Sequence, residues 1–218
     1  MEAADRSPAK GAPLTELVRG AQEFGISLSS EQLAIFQAYI ETLLFWRTRL
    51  SLTSAATALA VVRSHIVDSL AVARFIEPGW RVADLGSGAG FPGIPLAIVS
   101  PQSLIILIES RRKKANFLRD AVRRCGLTNV DVCEGRAETC PIQRLGTFDL
   151  VVSRAVWTVS DFLNVAGGLL RLGGLGVAMK GPRGRMETTT NPAFLQQEVV
   201  GYELHGGIER TLLTYRKR

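Results

Sequence analysis

Between Val82 and Val99 the chain reads VADLGSGAGFPGIPLAIV, and two overlapping patterns run through it. Gly88, Gly90 and Gly93 fit G-x-G-x-x-G, the spacing with which a strand-to-helix turn receives a dinucleotide pyrophosphate. Asp84, Gly86, Gly88 and Gly90 form a different pattern, an acid followed by alternating glycines. A carboxylate at the root of the loop would repel a pyrophosphate and attract the cationic amino-acid and sulfonium end of S-adenosylmethionine. Gly86 and Gly88 let a ligand approach their backbone closely. Glu109 follows Gly90 by 19 residues, at the end of the next apolar run. An acid there accepts hydrogen bonds from ribose hydroxyls, which NAD and S-adenosylmethionine share, so Glu109 speaks for an adenosine ligand without choosing between them. The plainer reading of Glu109 is an ordinary strand-end acid. Asp84 favours the methyl donor.

Further along, Arg154 in VSRAV closes a fourth apolar run, as a site residue or a surface ion pair. Lys180, Arg183 and Arg185 in KGPRGR follow a fifth, in a glycine-rich segment suited to phosphate contacts on the rim of a site. The cations Arg111, Arg112, Lys113, Arg119 and Arg123 share one helix and read more simply as a solvated face. His65 and Asp68 lie three apart on a helix, either covering a substrate site or packing and hydrogen bonding. Cys125, Cys133 and Cys140 are odd in number without CxxC spacing, which suits reduced thiols in a cytoplasmic protein, with Cys140-Pro141 structural. Two histidines, His65 and His205, are too few and too scattered for a metal site.

These residues need elements to hold them. Leu14–Phe24 reads as an amphipathic helix, and Ser29 with Gln32 forms a capping box for a helix burying Leu33, Phe36, Ile40, Leu43 and Trp46. A third helix is expected over Ala58–Ile76, stopped by Pro78-Gly79. From Trp80 the rhythm alternates. Arg81–Leu85, Leu104–Ile108, Val130–Cys133, Leu150–Ser153 and Gly176–Met179 have strand length, with helices at Arg111–Arg124 and Val159–Leu170. Tyr202–His205 and Arg210–Arg216 flank Gly206-Gly207 as a closing antiparallel pair. That alternation predicts an α/β fold with an open, mostly parallel sheet and helices on both faces, its ligand at the carboxyl ends of the strands. The expected division is a disordered tail over 1–13, a helical extension packed on the core over 14–79, and the main domain over 80–218.

At 218 residues, a domain of this size buries roughly 70% of its unfolded surface and needs no disulfide or metal to fold. No apolar run has the length of a membrane span, and MEAADRSPAKGAP lacks the apolar core of a signal peptide. The net charge of +6 is uneven, −1 over residues 1–79 and +7 over 80–218. A basic half that also carries the glycine loop points to an anionic partner, nucleic acid first, with a merely solubilising surface as the alternative.

Taken together, DLGSGAGFPGIPLAI, the upstream HIVDSL and the downstream FDLVVSRAV resemble the ribosomal RNA small-subunit methyltransferase G family, from about Leu33 to Lys180. The resemblance implies a class I S-adenosylmethionine-dependent methyltransferase, Rossmann-like with about seven strands. Its implied reaction is N7 methylation of one guanine in 16S ribosomal RNA, on the naked RNA or the small subunit, by a monomer. It implies cofactor contacts from Gly86 and Phe91, from Ala137 and Glu138 in GRAET beside the adenine, and from Arg154 facing both cofactor and substrate. Where the family has Trp-Asn and Asn-Leu-Thr, this chain has Trp46-Arg47 and Ser51-Leu52-Thr53, leaving the roles of Arg47 and Ser51 open. Guanine N7 carries a lone pair and no proton, so no general base is expected, and positioning can supply roughly 7–11 kcal/mol of the barrier. The N/D-P-P-Y/F segment of an exocyclic amine methylase is absent, with SRAV in its place. A small-molecule methyltransferase on the same fold and a catalytically silent RNA-binding protein are the rival functions.

Overall fold

A computed structural model describes residues 11–139, 146–154 and 157–218. Residues 1–10 of the expected tail and Cys140-Pro141 lie outside the described residues. Ala12 and Pro13 already belong to helix α1 (Ala12–Glu23), whose first turn accepts the proline because its N–H would be unpaired there anyway. Helix α2 (Ser30–Arg47) starts on the expected capping box: Gln32 N–H donates to Ser29 Oγ at 3.1 Å and Ser29 N–H to Gln32 Oε1 at 2.9 Å.

The single helix expected over Ala58–Ile76 is broken. It comprises α3 (Ala58–Val61), a π-helical turn at Val62–Ile66, α4 (Val67–Leu70) and a 3₁₀ turn at Ala73–Phe75. Local side-chain chemistry competes with the regular ladder here. The Ser69 hydroxyl donates to the His65 carbonyl at 2.6 Å, while the His65 ring is held by Thr53. Wide turns of this kind gather at functional sites.

The sheet is built from β1 (Arg81–Leu85), β2 (Leu104–Glu109), β3 (Val130–Glu134), β4 (Phe148–Arg154), β5 (Leu170–Lys180), β6 (Phe194–Leu204) and β7 (Ile208–Lys217). Their order is β3-β2-β1-β4-β5-β7-β6, with β7 antiparallel to both neighbours and the other pairings parallel. Helix α5 (Gly93–Val99) follows β1, α6 (Arg112–Arg124) follows β2, and α7 (Val159–Leu169) follows β4 with the Thr158 hydroxyl capping the Asp161 N–H. β6 is far longer than Tyr202–His205. Residues 195–199 of it, LQQEV, are exposed on an edge paired with β7, so they show no apolar run. Gly206 and Gly207, both at positive φ, make the tight turn between the last two strands.

Strand alternation sends neighbouring side chains to opposite faces. Val82, Ile105 and Leu107 join a cluster with Leu17, Phe36, Tyr39, Leu43 and Phe117, whereas Ala83, Leu85, Ile106 and Ile108 join Phe148, Phe162 and Leu163. The N-terminal helices, α5 and α6 thus cover one face, and α7 the other. Each fully buried Phe or Leu contributes roughly 1.5–3 kcal/mol, so the helical extension is held on the sheet by its own core. Three polar ties add to it: Tyr39 Oη to the Ala89 carbonyl (2.6 Å), Gln32 Nε2 to the Ile98 carbonyl (2.9 Å) and Trp46 Nε1 to Asp120 (2.8 Å).

Candidate active site

The loop after β1 is organised by its own acid. Asp84 is fully buried, and its Oδ2 accepts the N–H of Gly93, the first residue of α5, at 3.0 Å. Gly93 must be glycine, because an added Cβ would lie 2.2 Å from Leu107 Cδ2 and 2.8 Å from Asp84 Oδ2. Among the described residues Asp84 Oδ1 has no hydrogen-bond partner, and burial, only partly offset by the Gly93 amide, pushes the carboxyl up to about 7. Gly86 and Gly88 hold φ of +71° and +56°, so the chain can turn tightly above this carboxylate. The first amide of α5, which a pyrophosphate would need, is therefore already taken by the Asp84 carboxyl.

Glu109 is also buried and spoken for in part. Its Oε2 accepts from the Gly88 amide (2.9 Å) and its Oε1 from the Arg111 amide (2.8 Å). Each oxygen keeps a second lone pair for a ligand hydroxyl.

Two cavities open at the carboxyl edge of the sheet. The first, about 500 Å³, is lined by Gly86, Ile108 and Ser110, by Gly135–Glu138 and by Trp157, Asp161, Asn164 and Val165. It brings together Gly86, Ala137 and Glu138 of the expected cofactor set. Asp84 lies beneath the loop with no exposed surface, so the direct ammonium contact expected from the sequence gives way to a buried charge and an unpaired acceptor under the loop. Glu138 and Asp161 in the wall, with Asp84 and Glu109 behind it, make surroundings that fit a cationic adenosine-bearing donor and not a pyrophosphate.

The second cavity, about 450 Å³, is lined by Ser64, His65, Asp68, Arg154, Met179, Lys180, Gly181 and Arg210. Arg154, at the end of β4, sits with its guanidinium carbon 5.0 Å from the centre of the Phe91 ring. Its Nη1 lies 3.1 Å from His65 Nδ1 and 3.5 Å from Asp68 Oδ2. An arginine only donates, so His65 Nδ1 accepts and its Nε2–H donates to Thr53 Oγ1 at 2.7 Å. Burial and the neighbouring Arg154 charge lower the His65 pKa to about 4. Asp68, itself buried, accepts from Tyr202 Oη at 2.6 Å and has Arg210 Nε 3.7 Å away, both on Oδ1.

Phe91 belongs to this second cavity's support rather than to the wall of the first: it is buried, 4.9 Å from the His65 ring and 5.6 Å from Tyr39. Lys180 departs further from expectation. It is mostly buried, bonded to the Trp157 carbonyl and to both oxygens of Glu187, so it is a structural cation and not a free phosphate ligand. Because Trp157 lines the first cavity and Lys180 the second, the two share a wall. Arg183 and Arg185 remain exposed on the 3₁₀ turn Pro182–Met186. Sequence reasoning missed Thr53, Glu187, Tyr202 and Arg210; only Thr53, kept in the altered Ser51-Leu52-Thr53 segment, carried a signal.

Among the described residues no helix is long and apolar enough to cross a membrane, and no group of three or more His, Cys, Asp or Glu could hold a metal ion.

A sheet in this order, with an acid-and-glycine loop after its first strand and a cavity beyond that loop, defines an S-adenosylmethionine-dependent methyltransferase. The fold is shared with TrmN from Thermus thermophilus (TM-score 0.55, 22% identity, 70% of this chain and 49% of that one). It is shared equally with M. jannaschii TYW2 in complex with AdoMet (TM-score 0.55, 16% identity, 71% and 76% of the two chains). The sequence profile described as rRNA small subunit methyltransferase G matches residues 32–209. The ribosomal RNA small subunit methyltransferase G of Geobacter metallireducens is 38% identical over 193 residues, covering 88% of this chain and 87% of its own length. That of Stenotrophomonas maltophilia is 41% identical over 178 residues, covering 81% and 82%. The chain belongs to the rRNA small subunit methyltransferase G family.

Proposed function

We propose that this protein, acting as a cytoplasmic monomer, methylates N7 of one guanine in small-subunit (16S) ribosomal RNA. The donor occupies the first cavity and the guanine the second. S-adenosylmethionine, when bound, supplies a methyl group activated by its sulfonium. The backbone at Gly86 and Gly88 gives the donor close approach, Glu109 offers its spare lone pairs to ribose hydroxyls, and Ala137 with Glu138 faces the adenine. The charge of Asp84 beneath the loop favours the donor's cationic end. Arg154, braced on Phe91 and His65, positions the target base beside the loop. Arg183 and Arg185 hold phosphates of the RNA.

The observation that carries this reading is the state of His65. It is the one residue of the second cavity whose ordinary pKa suits a general base, yet both ring nitrogens are committed and its pKa is driven down to about 4. A ring with both nitrogens engaged and its pKa pushed down to about 4 is a poor proton acceptor, which suits a target that has no proton to give. Guanine N7 is such a target, and the protein's task reduces to orientation.

The test is incubation with labelled donor and small-subunit particles or RNA from a strain lacking the gene. New 7-methylguanosine, mapped to one nucleotide by mass spectrometry, is the expected result; its absence from both substrates overturns the proposal.

A further inference from the structure

The second cavity contains a buried carboxylate whose oxygens are unequally satisfied. Asp68 Oδ1 accepts the Tyr202 hydroxyl at 2.6 Å. Among the described residues Oδ2 has only the Arg154 Nη1 contact at 3.5 Å, at the outer limit for a hydrogen bond. A carboxylate buried to 3% exposure, lining a cavity with one oxygen so weakly engaged, is costly unless something else uses it. Two guanidiniums flank it, Arg154 on Oδ2 and Arg210 on Oδ1. The cavity therefore presents a donor beside an acceptor pair.

Guanine's Watson–Crick edge is the complement of that order. It offers the O6 acceptor, then the N1–H and N2–H donors. Adenine offers a donor, then an acceptor, and fails at both positions. We propose that Asp68 is the guanine-specifying residue, its carboxylate accepting from N1–H and N2–H while Arg154 donates to O6. This rests on the guanine-N7 reading above and deepens it. O6 and N7 are adjacent on the ring, so a base gripped with O6 at Arg154 turns N7 to the side where Arg154 lies on Phe91 of the glycine loop. Recognition at one edge thus aims the nucleophile at the other. A base extruded from RNA is commonly read on this edge.

Inosine, which keeps N7, O6 and N1–H but lacks the 2-amino group, is the probe. Particles are reconstituted with RNA carrying guanosine or inosine at the methylated position, and kcat/KM is measured for each. The wild type is expected to prefer guanosine by about tenfold or more, the loss of one hydrogen bond to a charged acceptor. In Asp68→Asn only one acceptor remains, which inosine can use as well as guanosine, so the preference should fall to within about threefold. Donor affinity, measured by calorimetry in the absence of RNA, should stay within about threefold of wild type and reports that the fold is intact. Tyr202→Phe keeps the carboxylate and should keep the preference even if Asp68→Asn does not fold. Slow methylation by Asp68→Asn with the wild-type preference, loss of the preference in Tyr202→Phe, or no preference in the wild type would each overturn the role of Asp68. No 7-methylguanosine from the wild type on guanosine-containing particles would defeat the function itself, a separate outcome.

Discussion

The two cavities draw on different parts of the chain. The first is lined at the ends of β1, β2 and β3 by Gly86, Ile108, Ser110 and Gly135–Glu138, and by Trp157 and α7, with Glu109 bonding back to Gly88. The second draws His65 and Asp68 from the helical extension, Arg154 from β4, Lys180 from β5 and Arg210 from β7. A site made by the loops that follow parallel strands can bind a ligand common to many enzymes built on the same sheet. A site made by distant segments can be changed one residue at a time, which is where substrate choice belongs. Arg154 and the Lys180–Trp157 bond join the two, so chemistry in one is geometrically tied to binding in the other.

That division predicts a graded set of effects. Arg154→Ala removes the cation that lies over Phe91 in the second cavity and should be the most severe, lowering kcat/KM by roughly 10²–10³, the scale for losing one preorganised donor. Arg154→Lys should not restore it, since an ammonium cannot span His65, Asp68 and a base together. Steady-state kinetics on both variants checks this, and full activity in the lysine variant would separate the cavities after all.

Next is Asp84→Asn, expected to weaken donor binding at least about tenfold with RNA affinity unchanged, read by calorimetry and filter binding. Its pH signature has a definite sign. With its pKa raised to about 7, Asp84 is largely protonated below that pH and charged above it. Wild-type donor affinity should therefore rise from pH 6 to pH 8, and Asp84→Asn should flatten that rise. Stability runs the other way. The stabilisation from holding this proton is complete below the ordinary carboxylate pKa near 4 and is lost as pH rises through 7. A donor affinity flat across this range in the wild type breaks the assignment.

Arg183→Ala with Arg185→Ala should affect RNA alone. The log–log slope of RNA affinity against salt should become shallower by about one to two, with donor affinity unaltered. The smallest effect is expected from Thr53→Val, which removes the acceptor shared by His65 Nε2–H and the Ala55 N–H at the far side of the second cavity and should cost about 1–3 kcal/mol of stability in thermal unfolding.

Legibility in the sequence followed the same divide. The glycine loop, the strand rhythm from Arg81 to Lys180 and the Ser29 capping box are local patterns, and they could be read without three-dimensional information. The break in the helix at Val62–Ile66 could not, because the contacts made there, from Thr53 to the His65 ring and from Ser69 to the His65 carbonyl, leave no mark in the apolar periodicity. β6 was cut short because an exposed edge strand needs few apolar residues. Lys180 carried the right charge for RNA, and only the fold reveals that Glu187 and the Trp157 carbonyl engage its ammonium. Arg210 and Tyr202 gave no sign at all, since a residue on a closing hairpin becomes part of a site only through sheet order.

The central claim, two ligands in two cavities, is tested most directly by hydrogen–deuterium exchange with donor and RNA added separately. Donor alone should slow exchange at residues 86–91, 109–111 and 135–138, and RNA alone at residues 64–68, 181–186 and 208–211, with protection near Arg154 common to both. Protection of 64–68 and 181–186 by donor alone, with 86–91 and 135–138 unchanged, would contradict it.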